Sequence, residues 1–597
     1  MSARSSDAPR GAALPAAATP LERTRKRQAA VFVVLCLALF GVAGRTAYWQ
    51  VILQRPLAAR ADVEHLVEQR IPAGRGSVVD AQGRLLALSL TEDTVIVDPD
   101  WLRQHGILDQ TAIRLASLLS LPLDAVRRQL EVSGDYAQLR GTNGQPLLLS
   151  MEQSRRVEGA RAQGQLDGMR LYPVVRRVYP EGALASQVLG FVRTSDGTGQ
   201  YGVEEGYDRA LAGQPGWLSS AVDAAGNPLA TGPQRWTPPQ PGADITLTLD
   251  ATVQDMAERG LADAVARTGA DSGTVIVLDP RTGALLAVAN LPAFDPNVYA
   301  QATLSAFNDP ALSGLYDPGS VMKAMTMAAA IDAGAITPDT MLDDQGSVVV
   351  DGVTLHNWGG IAWGPETMTQ VLEHSANVGA IWAAERLGVS AFDAYLARFG
   401  FGDRTGVDLP SEAAGQVPHP SGSGAAELTM AEQSFGESIG VTPLQLAAAY
   451  GALATGGVLM RPYIEQCVTS DGGRGARSCA APHAVRQVVS AATAQTVTQM
   501  LVESSQYSEA EMHLLTGYSA AVKTGTSTPN ASQPETTYAS MVGYAPASDP
   551  RFVLLVKLDH PRNPIYGGSA AGPLWRALAQ QLFVYEGVPP DEPVGAR

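Results

Sequence analysis

One stretch decides how the rest of this chain can be arranged. Residues 29–44 read AAVFVVLCLALFGVAG, sixteen residues without a charge. A membrane-spanning helix needs about 20 apolar residues. The apolar character resumes beyond Arg45 with Tyr48, Trp49, Val51, Ile52 and Leu53, giving a predicted span over 29–53. Arg45 can reach back to the interface, and Tyr48 and Trp49 suit the headgroup level. Residues 1–28 carry six basic side chains against Asp7 and Glu22, and four of the six lie between positions 23 and 27. Positive charge is retained on the cytoplasmic side, so 1–28 is predicted as a cytoplasmic tail and 54–597 as lying outside the membrane. A cleaved signal peptide ending in the small residues Gly41-Val42-Ala43 is the alternative. No later stretch is long and apolar enough to span again.

The outer part is too long for one hydrophobic core, and two or three domains are expected of 597 residues. With 45% apolar and 17% charged residues it has the composition of a folded chain. The net charge is −16, and the tail is positive, so the remainder is more acidic still. That excludes a nucleic-acid partner, which would need a basic face to neutralise phosphate. There are three cysteines; Cys467 and Cys479 could bridge in an oxidising compartment or stand as two free loop thiols. No Cys/His spacing matches a zinc site.

Within 54–240, turn-rich strand signals alternate with helical spacing over 107–131 and 147–165. Pro233, Pro238, Pro239, Pro241 and Gly242 then crowd together, the mark of a linker. Beyond it, 244–250 alternates as a strand and 251–267 reads as a helix. Two apolar strands, 273–278 and 284–289, flank the turn Asp279-Pro280-Arg281-Thr282-Gly283. A second hairpin, 539–544 with 551–558, and a helix over 570–585 close the chain. Strands from both ends of 241–597 can meet in one antiparallel sheet with helices on its faces.

Three short polar motifs lie in this second part. Asp317-Pro318-Gly319 breaks the chain before Ser320-Val321-Met322-Lys323 and a helix over 324–333. Ser320 is thereby predicted at the first helical turn, with Lys323 on the same face. The surrounding run is apolar, and burial favours the neutral amine, a credible base for a serine hydroxyl. Ser375-Ala376-Asn377, after Glu373-His374, offers a hydroxyl for proton relay and an amide to hold a carbonyl. Lys523-Thr524-Gly525-Thr526 follows small apolar residues on a predicted strand. There Lys523 could hold a carboxylate, Gly525 could leave room for a substrate backbone, and the N–H groups of Thr526 and Ser320 could form an oxyanion hole. Each motif alone is commonplace: a capping serine, a turn, a strand edge. Their joint occurrence in this order is the mark of penicillin-recognising serine enzymes.

The chain is thus identified as resembling a class B penicillin-binding protein, a monofunctional peptidoglycan D,D-transpeptidase. Ile71-Pro72-Ala73-Gly74-Arg75-Gly76, with Asp80 and the run from Gly83 to Ala87, is similar to the family's opening after the anchor. Gly202-Val203-Glu204, Tyr207-Asp208 and Leu211-Ala212-Gly213 resemble its pedestal, or dimerisation, domain. Leu247-Thr248-Leu249-Asp250, Thr442-Pro443-Leu444-Gln445 and Gly543-Tyr544-Ala545-Pro546 also fit. The resemblance implies an α+β fold: a penicillin-binding, serine β-lactamase-like transpeptidase domain over 241–597, preceded by an elongated α+β pedestal over 54–240 and one transmembrane helix in a bacterial plasma membrane. It implies that Ser320 attacks the penultimate D-Ala of a stem peptide, and that Lys323, Ser375 and Lys523 serve catalysis. Asn377, Thr524, Gly525 and Thr526 would hold the substrate. No metal or organic cofactor is implied. The implied partners are stem peptides, β-lactams, a membrane glycosyltransferase and division proteins.

Departures from the family pattern are Val321-Met322, Glu437-Ser438-Ile439-Gly440 and Ser527. A class A β-lactamase would carry a Glu-x-x-Leu-Asn pattern, which does not occur between Ser375 and Lys523. A D,D-carboxypeptidase, an elongation-specific enzyme and a catalytically weak scaffold are alternatives. Asn377, rather than Asp, favours the division-type branch.

Overall fold

The computed structural model describes residues 20–55, 66–142, 144–221, 234–506, 508, 510–528 and 536–592. It divides into two compact units. The first contains the N-terminal helix Pro20–Ala47, a π-helical turn Tyr48–Ile52, and an antiparallel sheet of Leu66–Ile71, Gly216–Ala221 and Gln234–Thr237. The helix begins inside the predicted tail, so residues 23–27 form its early turns. Apolar side chains stand exposed around it, Phe32 and Phe40 among them. The segment Thr24–Ile52 has the length and composition to cross a membrane. Arg45 lies over the Trp49 ring, 5.1 Å from its centre.

The second unit joins Pro72–Pro215 to Pro239–Arg597. The long strand Leu85–Val97 pairs with Met169–Val178 along its whole length, from Leu88 opposite Val178 to Val97 opposite Met169. The predicted helix over 107–131 is two helices, Leu108–Leu119 and Leu123–Leu130. Ser120 turns left-handed at φ 55° and Pro122 follows, and a proline can neither donate its N–H nor clear the preceding turn. The stretch 147–165 is helical only over Met151–Ala162, where Ser150 and Gln153 cap each other reciprocally. Leu102, Leu115, Val126, Leu130 and Val157 form the core beneath.

Residues on both sides of the Pro-rich stretch share one sheet. Asp244–Leu247 runs parallel to Val78–Val79 and antiparallel to Glu465–Thr469. The predicted strand over 244–250 therefore ends early, because Asp250 turns to cap the next helix through the N–H groups of Thr252 and Val253. The Pro-rich stretch is itself stitched down: Gln240 exchanges backbone hydrogen bonds with Gln214, and Gly242 donates to Gly74. Cys467 and Cys479 face each other on adjacent strands and form a disulfide. Buried Glu204 binds two arginines here, Arg75 at 2.6 Å and Arg177 at 2.7 Å.

The rest builds three layers. In chain order these are α1 (Ala251–Thr268), β1 (Ser272–Leu278), β2 (Leu285–Leu291), α2 (Lys323–Asp332), α3 (Asn377–Leu387), α4 (Pro443–Ala454), β3 (Ala521–Ser527), β4 (Tyr538–Ala545), β5 (Phe552–Asp559) and α5 (Gly572–Tyr585). The five strands pair antiparallel in the order β2-β1-β5-β4-β3, so strands from both ends of the region do meet. Side chains alternate across a strand. Val275 and Val277 accordingly face one core with Ala257 and Leu261 of α1 and Trp575 and Leu578 of α5. Ile276 and Leu278 face the other, with Met325 and Ala328 of α2 and Leu446 and Tyr450 of α4. Burying each large aliphatic side chain contributes roughly 1.5–3 kcal/mol. β3 is an edge strand, and the turn before α2 packs against it.

Candidate active site

Ser320 lies in a short 3-10 turn, Gly319–Met322, immediately before α2 rather than within it. Gly319 adopts φ 63°, a left-handed conformation that glycine takes without strain, and a Cβ there would come within 2.7 Å of the Thr526 carbonyl oxygen. Its N–H donates to Gly436 O at 2.9 Å. Val321 and Met322 are fully buried, and Val321 O accepts from the Tyr450 hydroxyl at 2.8 Å. The turn is thereby clamped between β3, α4 and the segment after Ser434.

Lys323 is completely buried. Its Nζ lies 2.9 Å from Ser320 Oγ, 2.7 Å from Asn377 Oδ1 and 3.3 Å from Ser375 Oγ, and it also donates to Ser375 O. Lys523 approaches from β3, with Nζ 3.0 Å from the same Ser375 Oγ and 3.2 Å from Thr524 O. Ser375 thus stands between the two lysines. It links the helix Met368–Glu373 to α3 at φ 56°, a left-handed conformation costing a non-glycine residue roughly 1–2 kcal/mol. Asn377 opens α3 and donates its Nδ2 to His356 O at 2.9 Å.

All three motifs therefore converge, with Thr524 and Thr526 on the edge strand beside the turn. Gly525 also has a role in the fold. A Cβ there would lie 2.7 Å from Pro318 O, 2.7 Å from Ser540 Oγ and 2.9 Å from Val321 Cγ1. Its missing side chain admits the Ser320 turn. Gly525→Ala is expected to displace that turn, slowing acylation of Ser320 about ten- to a hundredfold and costing about 1–3 kcal/mol of stability. Labelling time courses and thermal melts would check both.

The departures from the family pattern also acquire roles. Ser527 donates its hydroxyl to Asp317 O, tying the strand to the residues before Ser320. Ile439 N donates to Asp317 Oδ1 at 3.2 Å, and Ser438, left-handed at φ 53°, binds Glu432 at 2.6 Å. Burial pushes the Asp317 carboxyl up against the pull of the Ile439 N–H. Burial raises Glu437 as well, reinforced by Asp317 and Glu432 and opposed by the Lys323 charge.

Sequence reasoning missed the supports behind Ser375 and Asn377. Asn357 Oδ1 accepts from Val378 N at 2.9 Å, and its Nδ2 donates to the buried Asp344 carboxylate at 2.7 Å. His374 Nδ1 lies 2.8 Å from Glu366 Oε2, and its ring stacks on Trp363 at 3.9 Å. His374, adjoining the motif, was the one available signal.

A buried lysine pair about a strained serine, beside a second serine on a glycine-shaped turn, defines a serine acyltransferase site. The transpeptidase-domain model of penicillin-binding proteins matches residues 273–580, and the penicillin-binding protein dimerisation-domain model matches 70–247. The chain belongs to the class B penicillin-binding proteins. It is 31% identical over 602 residues to penicillin-binding protein PbpB of Mycobacterium tuberculosis, covering 95% of this chain and 85% of that one. It is 28% identical over 572 residues to the peptidoglycan D,D-transpeptidase FtsI of Escherichia coli, covering 94% and 92%. The structure of penicillin-binding protein 3 from M. tuberculosis in complex with aztreonam superposes with a TM-score of 0.65 at 28% identity, over 88% of this chain and 99% of that one. The apolar N-terminal helix makes this a membrane-anchored member.

Proposed function

We propose that this protein cross-links peptidoglycan stem peptides through an acyl-enzyme on Ser320. The observation that carries this is the 2.9 Å approach of buried Lys323 Nζ to Ser320 Oγ. Ser320 Oγ attacks the carbonyl of the penultimate D-Ala while Lys323 takes its proton. Ser375, bonded to both lysines, passes a proton to the departing D-Ala nitrogen. The N–H groups of Ser320 and Thr526 receive the oxyanion. Lys523 and Thr524 hold the substrate carboxylate, and Asn377 its peptide. An amine from a second stem peptide then takes the acyl group, which regenerates the serine.

The test is covalent labelling of the full chain by a fluorescent penicillin. The wild type should label at one site, and Ser320→Ala should lose the label entirely. An unlabelled wild type would sink this reading.

The same proposal extends to placement: a cytoplasmic tail over 1–28, a single span over 29–53, a pedestal over 54–240 and the transpeptidase domain over 241–597 outside the membrane. The basic cluster before the apolar run supports that direction. A disulfide at Cys467–Cys479 suits an oxidising exterior. Asn377 supports work at the septum, with a membrane glycosyltransferase and division proteins as partners. A fluorescent fusion should gather at midcell; side-wall placement would overturn the septal assignment.

A further inference from the structure

Ser375 bonds to both lysines and Asn377 to Lys323, and both sit at the junction of two helices. Ser375 is left-handed at φ 56°, and Asn377 is the first residue of its helix. Each end of this motif is gripped by a buried carboxyl group on one small ribbon. Met341–Asp344 pairs antiparallel with Gly364–Thr367, with Leu342 opposite Glu366. Two residues from Leu342, Asp344 shares the face of Glu366, because side chains alternate along a strand. Glu366 is 1% exposed and Asp344 is fully buried.

From this ribbon Glu366 reaches His374, the residue before Ser375, at 2.8 Å. Asp344 reaches Asn357 at 2.7 Å. Asn357 in turn receives Val378 N of α3 at 2.9 Å, and its neighbour His356 offers its carbonyl to Asn377 Nδ2 at 2.9 Å. So one carboxyl fixes the entry to the motif and the other its exit. We propose that Glu366, with Asp344 and His374, is a positioning unit that sets Ser375 and Asn377 against Lys323 for acylation.

The two carboxyls also meet each other. Glu366 Oε1 is buried without a donor among the described residues, and the Asp344 carboxyl lies close to that of Glu366. Burial, more than the Asp344 charge, pushes the Glu366 carboxyl up to about 7, with His374 pulling the other way. A proton held on Glu366 turns a contact between two acceptors into a hydrogen bond to Asp344. Its other oxygen still accepts from His374. A glutamine at 366 reproduces both bonds, with its amide donating to Asp344 and its carbonyl accepting from His374. An alanine makes neither.

This inference rests on acylation at Ser320, so the wild type must label first; its failure to label refutes the function above, not this unit. Rates of acylation by a fluorescent penicillin should be resolved into encounter affinity and acylation rate constant. Glu366→Ala should lower the rate constant about 30-fold, since displacement by an ångström can cost a hundredfold, and leave affinity within about threefold. Glu366→Gln should restore the rate constant to within about threefold of wild type. His374→Ala, at a partly exposed side chain that the fold can lose, should lower it about tenfold. Wild-type rate constants in both alanine variants would overturn the proposal. So would a loss confined to affinity, or a glutamine as slow as the alanine. If Glu366→Ala does not fold, the His374→Ala and Glu366→Gln rate constants decide alone.

Discussion

Lys323→Met is expected to slow acylation of Ser320 about a thousandfold, within the 10²–10⁴ range by which a positioned acid–base group contributes. The substitution keeps a long, unbranched side chain in a fully buried slot, with a thioether sulfur in place of one methylene, and removes the nitrogen. With it go the proton acceptor 2.9 Å from Ser320 Oγ and the donor to Asn377 Oδ1 and Ser375 O. Leaving a buried acceptor unpaired costs about 1–3 kcal/mol, while removing a buried polar group relieves its desolvation. The fold should therefore survive with a small change in melting temperature. Time courses of covalent labelling, with the adduct mass confirmed on Ser320, measure the effect. A variant within tenfold of wild type would remove Lys323 from the proton transfer and leave Lys523 as the candidate.

Glu204→Ala is expected to destabilise the fold by several kcal/mol. Glu204 Oε2 meets Arg75 Nε at 2.6 Å and Oε1 meets Arg177 Nε at 2.7 Å, with the arginine side chains only 6% and 4% exposed. Tyr179 adds its hydroxyl at 3.3 Å. Replacing the shared carboxylate strands the buried Arg177 guanidinium and takes one of two carboxylates from Arg75. Arg75 keeps Asp208 at 2.6 Å, whereas Arg177 keeps only neutral acceptors, Gly76 O and Ser89 Oγ. Breaking such a pair costs about 3–5 kcal/mol. For a chain of this size that amounts to a fall in melting temperature of about 2–4 °C. Glu204→Gln keeps the shape and one accepting oxygen, so its loss should be smaller. Glu204 bonds to none of the residues around Ser320, so variant protein that remains folded should still label. Calorimetry and labelling below the transition separate the two effects. An unchanged melting temperature in the alanine variant would show that this network contributes nothing net.

Much of the catalytic half was legible because its signals are local. The hairpins around Asp279 and Asp549 carry alternating apolar residues and turn formers, and β1, β2, β4 and β5 follow within a residue or two. The helix 251–267 has its cap in Asp250 and its stop in Gly269. The misplacements came where long-range pairing or one backbone angle decided. Ser120 and Pro122 split a stretch whose apolar spacing continued across the break. Residues 244–247 read as a strand but joined a sheet with Val78 and Cys467, not the one beside Ser320. The pairing of Cys467 with Cys479 stood open until Glu465–Thr469 and Arg477–Cys479 proved to be neighbours.

Sequence alone determined which groups were available: an apolar run behind a basic cluster, and three motifs whose order names their chemistry. Those are properties of neighbouring residues, and neighbours are written side by side. Only the tertiary structure decided what each group touches. It showed that Gly525 makes room for the Ser320 turn, that Ser527 holds Asp317, and that Glu366 and Asp344 stand behind Ser375 and Asn377. Such contacts join residues far apart in the chain, in directions set by strand register and by the left-handed turns at Gly319 and Ser375. A short motif carries neither register nor direction, and both arise only when the sheet closes.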